Sequence, residues 1–188
     1  PTVDFKGQTR RNQTHESQTD PAAKLMRKGA GKEAKLSYGL HALMENRHGL
    51  CVQVAVSAST EKETTAAKEL IGRQIDETEK PPASVGADKG YHNQEFVGFC
   101  REQEIKPHVA PITGRKVSGL DGRTTRSMGY QTSQRIRKRV EEIFGWTKEI
   151  GGLRKTKHRG TERVGLNTVL VVAAYNLVRM GKLMGSPP

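Results

Sequence analysis

The stretch Tyr130-Gln-Thr-Ser-Gln-Arg-Ile-Arg-Lys-Arg-Val-Glu-Glu-Ile-Phe-Gly-Trp-Thr-Lys148 decides how the rest of the chain is read. Its spacing predicts one helix. At about 100° per residue Ile136, Val140, Ile143 and Thr147 fall on one narrow stripe with Phe144 at its edge, so one side is built for burial. Arg137, Glu141 and Lys148 fall on a second face, at the lip of the core, within about 40° of arc. A carboxylate there is held by packing yet still faces a groove, and Arg135, Lys138 and Arg139 add positive charge around it. Taken alone the helix favours the plainer reading, a surface salt-bridge spacing on a solvated basic face.

The whole chain changes that balance. Its 188 residues allow one domain with a real core, or one domain and an appendage. A net charge of +12 and a pI near 9.9 suit a protein that binds polyanions, nucleic acid being the commonest. The excess is concentrated between Arg115 and Arg163, whereas Glu61 to Glu79 is close to balanced, which favours a binding surface over general solubility. Cys51 and Cys100 lie in apolar runs and read as buried, reduced thiols of a cytoplasmic protein, not a disulfide framework. The six histidines have no zinc-ligand spacing. Pro1 to Arg27 carries no signal pattern, and its abrupt polar start without methionine predicts a fragment. Val164 to Val178 is shorter than the ~20 apolar residues of a bilayer span. Asn167 and Asn176 interrupt it, so a buried helix over 164–183 is expected.

In chain order, residues 1–34 read as an exposed polar loop, with Thr19 or Asp20 capping a short helical turn. Lys35–Met44 and Leu50–Ser57 read as strands joined by a turn at Asn46–Gly49, with Val52, Val54 and Val56 on the buried face. Thr60 and Glu63 form a capping-box pattern before the helix of Ala66, Ala67, Leu70 and Ile71. Ala83–Ala87 reads as a short strand ending in Asp88, followed by Gly90 and a helix from about Asn93 with Phe96, Phe99 and Cys100 inward. Asp88 either starts the turn through its side chain or is an active-site acid at a strand's carboxyl end; its place in an alternating strand-and-helix chain favours the acid. Ile105–Val109 is one more strand, and 113–128 a basic loop expected to face a polyanion rather than pack.

Gly86-Ala87-Asp88-Lys89-Gly90-Tyr91, followed by the Arg137, Glu141, Lys148 spacing, resembles the insertion-sequence transposases of the DDE type, in the subgroup with a Tyr/Arg/Glu/Lys signature. Thr19-Asp20-Pro21, Gly39–Asn46, Asp121–Arg126, Arg154–Gly160 and Ala173–Leu177 resemble it too, so the likeness covers nearly the whole chain. It implies an α/β fold, ribonuclease H-like, with a mixed sheet flanked by helices. It also implies DNA strand cleavage and transfer at transposon ends, with Mg2+ held by carboxylates. By the same resemblance Asp88 and Glu141 are the catalytic and metal-binding acids. Arg137 and Lys148 hold DNA phosphates, and Arg135, Lys138, Arg139, Arg123, Arg126, Arg154, Lys155, Lys157 and Arg159 line the double-stranded DNA. A homo-oligomer in the synaptic complex is expected.

Two departures stand out. Gln134 occupies the slot of the signature tyrosine, three residues before Arg137, with Tyr130 one turn earlier. The family's first aspartate precedes an Asp-Phe-x-Gly-Gln run, here Asp4-Phe5-Lys6-Gly7-Gln8, so the first strand and its acid are expected to be missing. That loss separates the hairpin from the strand ending in Asp88 and leaves the chain catalytically inactive. A non-catalytic DNA-binding remnant or regulator of transposition is the competing expectation.

Overall fold

The computed structural model describes residues 11–27 and 29–185, so the Asp4–Gln8 run lies outside the described residues. Strands β1 (Lys24–Met26), β2 (Lys35–Met44) and β3 (Cys51–Ala58) form an antiparallel sheet in that order. Strands β4 (Ser84–Ala87) and β5 (Lys106–Val109) form a separate parallel pair, with Gly86 opposite His108 and Ala87 opposite Val109. The helices are α1 (Glu63–Thr78), α2 (Gln94–Glu102), α3 (Gly122–Thr125), α4 (Met128–Ile136), α5 (Val140–Glu149) and α6 (Thr161–Leu183). The chain is a mixed α/β protein whose described strands fall into two small sheets.

The β2–β3 hairpin turns on Glu45 as well as on the Asn46–Gly49 run. Its carboxylate accepts the backbone N–H groups of Arg47, His48 and Leu50 at 2.8, 2.6 and 3.2 Å. Burial pushes the Glu45 pKa up, but those three bonds outweigh it and hold the carboxyl below its usual range. Gly49 takes the left-handed conformation, φ +74°, that closes the turn.

Alternation along β2 sends Leu43 to one side and Ala42 and Met44 to the other. Leu43 joins Ala67 and Ile71 of α1 in a core shared with Phe96, Val97, Cys100, Ile105 and Val109. Ala42 and Met44 join a second core with Cys51, Ile143, Val172 and Tyr175. Each fully buried Ile, Val or Phe there contributes roughly 1.5–3 kcal/mol. Burial pushes both thiols, Cys51 and Cys100, up to about 11, so they are neutral packing groups, unbonded to each other.

Several expectations are corrected. Of the stretch read as loop, Lys24–Met26 pairs with β2, and the Asn12 side chain bonds both the N–H and the C=O of Leu25 at 2.7 and 2.9 Å, as a neighbouring strand would. Asp20 caps no helix. It accepts the Tyr38 hydroxyl at 2.6 Å and the Gly160 N–H at 3.2 Å, tying that segment to β2 and to the start of α6. Thr60 caps nothing either, since α1 begins after Lys62 with no side-chain cap. Val52 is 38% exposed, so the valine face of β3 is only partly covered. The 113–128 loop contains α3, and Val117 is buried in the first core while Arg101 bonds Gly119 O and Thr124 Oγ1. Helix α6 is buried on one side only: Val164, Thr168, Val172 and Tyr175 face the sheet, and Leu166, Leu170 and Leu177 are more than 60% exposed. By length and composition α6 could cross a membrane, yet Asn176 bonds Cys51 N and O at 2.9 and 2.8 Å, completing the edge of β3.

The expected single helix 130–148 is interrupted. Arg137–Arg139 forms a 3-10 turn between α4 and α5, with Ile136 through Val140 still in the right-handed helical region. Tighter winding rotates α5 relative to α4 by roughly 60° over those residues, which moves Glu141 off the stripe of Arg137. No ion pair joins the two among the described residues. Ile143 and Thr147 are buried as expected, at 1% and 0% exposure.

Where α5 ends, a Cβ on Gly151 would lie 2.3 Å from Val171 Cγ1 and 2.8 Å from Thr147 O. Gly151→Ala is expected to cost about 1–3 kcal/mol in urea unfolding. Val171→Ala should recover only part of that, because the carbonyl clash stays. An unchanged midpoint for Gly151→Ala would refute this packing.

Candidate active site

Strand β4 ends beneath helix α4. A Cβ on Gly86 would come within 2.7 Å of Ser133 Oγ and 3.4 Å of Arg137 Cβ, so with Ser133 in place a glycine lets the helix sit at this depth. The crossing is pinned by polar contacts. Tyr130 donates its hydroxyl to Val109 O at 3.0 Å, and Gln134 Nε2 donates to His108 O and, at 3.4 Å, to Ala87 O. Gln134 Oε1 accepts from Arg137 Nε at 2.8 Å. Beyond the crossing, α5 packs through Val140, Ile143 and Trp146 on the core of Ala42, Met44 and Val54. The α4–α5 unit therefore runs from the β4–β5 pair to the β2–β3 sheet.

Asp88 follows β4 directly and is exposed. Its Oδ1 accepts the Gly90 N–H at 2.7 Å, so the turn-starting role is real. The second oxygen has no hydrogen-bond partner among the described residues, and neither do the carboxylate of exposed Glu141 and the ammonium of exposed Lys148. Lys148 Nζ sits 5.8 Å from the centre of the Phe144 ring. No hydrogen bond or ion pair links Asp88 to Glu141; the helix that meets the Asp88 strand at Gly86 is α4, and Glu141 lies on α5 beyond the 3-10 turn.

The expected DNA-facing cations divide into two groups. Arg139 donates to Asn46 O and Arg47 O, Arg154 pairs with Glu149, and Arg123 lies 3.5 Å from Asp121. Asp121 also accepts the Thr124 N–H, which outweighs its slight desolvation and lowers its pKa. Arg135, Lys138, Arg126, Lys155, Lys157 and Arg159 are exposed, with no such partner among the described residues. The loop carrying the last three ends at Gly160, anchored by Asp20 and Tyr38.

Residues 7–177 match the transposase DDE domain family. The chain belongs to that family. No curated protein and no solved structure matched it. Membership gives the transposase domain its general function, transposition, with DNA as its substrate. Among the described residues no three His, Cys, Asp or Glu side chains converge as a metal cluster.

Sequence reasoning missed Ser133 and His108. Both are buried at 5% exposure, and Ser133 Oγ and His108 Nδ1 have no hydrogen-bond partner among the described residues. An alternating-period count assigns such residues to a face without revealing their neighbours. Desolvation, helped by the charges of Lys106 and Arg101, lowers the His108 pKa from its usual 6.5. The folded state thus binds this proton later than the unfolded state on acidification. Stability from neutral His108 is full above about pH 6.5 and falls as pH drops toward the depressed folded value. Urea midpoints measured between pH 7.5 and 5.5 should decline, and His108→Gln should flatten that decline; an equal slope in the variant would exclude His108 as its source.

The crossing gives a compensation test. Gly86→Ala alone is expected to cost about 1–3 kcal/mol through overpacking. Ser133→Ala alone should cost nothing, since its hydroxyl is unpaired. The double variant should regain most of the loss, and strict additivity of the two melting shifts would contradict the contact.

Proposed function

We propose that this chain is the DNA-processing part of a DDE transposase, built on a ribonuclease H-like sheet, which cleaves and joins strands at transposon ends. The observation that carries the reading is the passage of α4–α5 over Gly86, beside the strand end bearing Asp88, and on to the β2–β3 sheet. In this reading a further strand, with the first acid at its end, lies between β2 and β4 and makes one sheet of the two. Among the described residues Tyr38–Met44 has β3 as its only ladder partner, which leaves its other edge available to such a strand.

Asp88 and Glu141 supply hard oxygen donors, which suit Mg2+, and they would hold the ion against the scissile phosphate. When bound, paired ions lower the pKa of the attacking water or 3′-hydroxyl and stabilise the leaving oxygen. Asp88 contributes the oxygen not used by Gly90, on a strand end fixed by the β4–β5 ladder. Arg137 and Lys148 hold phosphates by charge and hydrogen bonding without reading bases. Arg135, Lys138, Lys155, Lys157 and Arg159 extend the phosphate track, and a synaptic homo-oligomer brings two transposon ends together.

That no three metal-ligating side chains cluster among the described residues favours one competing reading, a DNA-binding remnant or regulator that does not cut. For the 188-residue chain alone both readings expect binding without cleavage. They part in a chain supplied with the upstream strand and Mg2+. Cleavage of a transposon end that Asp88→Ala and Glu141→Ala each reduce at least 100-fold, with DNA affinity retained, is the expected result. Cleavage indifferent to either substitution would refute these assignments, and binding without any cleavage would establish the regulator.

A further inference from the structure

Gln134 stands where the signature tyrosine is expected, and its contacts give it a distinct task. It is half-buried in the last turn of α4, with every polar atom engaged. The amide nitrogen spans two carbonyls, His108 O on β5 and Ala87 O on β4. The second belongs to the peptide unit that leads into Asp88. The amide oxygen takes Arg137 Nε at 2.8 Å. Fixing a guanidinium through Nε leaves its two terminal nitrogens free, the pair whose planar fork matches phosphate oxygens. No hydrogen bond or ion pair occupies those terminal nitrogens among the described residues.

The chemistry selects an amide at this position. A carboxylate would hold Arg137 but would neutralise its charge and turn two acceptor oxygens toward two carbonyls. An apolar side chain of the same length would leave His108 O and Arg137 Nε without this partner, while Ala87 O would keep only the Ala110 N–H. Glutamine donates one way, accepts the other and carries no charge.

We propose that Gln134 is a positioning residue, which sets the Arg137 guanidinium at the carboxyl end of β4 for a DNA phosphate. The proposal rests on the DNA-acting reading above and adds to it the residue that orients the phosphate ligand. Gln134 touches no substrate in this scheme; it acts through Arg137.

The test is binding of the 188-residue chain to a fluorescent duplex oligonucleotide by anisotropy, over a series of KCl concentrations. Gln134→Met and Arg137→Ala should each weaken binding about fivefold to tenfold and reduce the salt slope by about 1. The double variant should bind no more weakly than Arg137→Ala alone, because Gln134 works through that side chain. Gln134→Glu should reproduce the loss of slope through charge neutralisation. A wild-type chain without salt-dependent DNA binding would overturn the DNA-acting reading and this inference with it. Normal wild-type binding with an unaffected Gln134→Met, or with additive losses in the double variant, would overturn this inference alone. A second measurement needs no Gln134 variant to fold. In the wild-type chain the Arg137 Nε–H resonance, identified by its absence in Arg137→Lys, should exchange with water at least tenfold more slowly than that of exposed Arg135. Equal exchange rates would also overturn the inference.

Discussion

The contact on which the site depends is the approach of α4 to β4 at Gly86. Helix and sheet normally keep side chains between them, and here the strand offers none, so the helix backbone rides close enough for Arg137 Cβ to sit 3.4 Å from where a strand Cβ would be. That closeness puts Gln134 within reach of two strand carbonyls. A side chain on residue 86 would collide with the Ser133 hydroxyl beneath the turn that carries Gln134 and Arg137. The missing methyl group thereby eases the close contact between the end of β4 and the helix that bears Arg137.

The same helix pair also explains how two small sheets coexist. The β4–β5 pair is too small to fold alone, and a three-stranded antiparallel sheet is marginal without a covered face. Helix α1 packs both Leu43 of β2 and the core around Phe96 and Cys100, while α5 and α6 cover the opposite face of the hairpin. The cores are joined through helices, not through a continuous hydrogen-bonded sheet. Interfaces of that kind resist separation by apolar area, which is non-directional, and tolerate a gap in the ladder better than a sheet edge tolerates exposure.

Much of this was legible in the sequence. Period-two runs placed β2 at Lys35–Met44 and β3 within a residue of its observed bounds, and Asn93 before Phe96 marked the start of α2 correctly, its side chain accepting Phe96 N. Those signals are local, and local chemistry determines them. What escaped depends on partners far along the chain. Asp20 resembles a helix cap, but Tyr38 and Gly160 claim its oxygens. Asn176 breaks an apolar run because the backbone of Cys51 needs an amide there. The 3-10 turn at Arg137–Arg139 contains neither proline nor glycine, and the bonds from Arg139 to the hairpin carbonyls that accompany it become visible only once the hairpin is in place. Helix α6 was expected to be buried because its composition is apolar, yet composition does not say which sides have neighbours. At the site, the strand leading to Asp88 and the helix carrying Arg137 meet at Gly86 and Gln134, and these two joining residues carry no charge and stand out less in the sequence.

Charge distribution follows the same logic. Several of the cations are committed to the fold. Arg179 bonds His48 O while pairing with Glu142 at 3.8 Å; Arg101 holds Gly119 O and Arg139 holds the hairpin turn, donating to carbonyls that carry no formal charge. Such residues stay fully positive while building the structure. Structural cations and free ones therefore both contribute positive potential, screened over about 10 Å at moderate salt. Fixed guanidinium groups attract a polyanion without contacting it, and Arg135, Lys138, Lys155 and Lys157 are exposed with no side-chain partner among the described residues. Under the proposed DNA-acting reading, a surface built this way draws DNA in through charges that cost little to order, because folding has already ordered them.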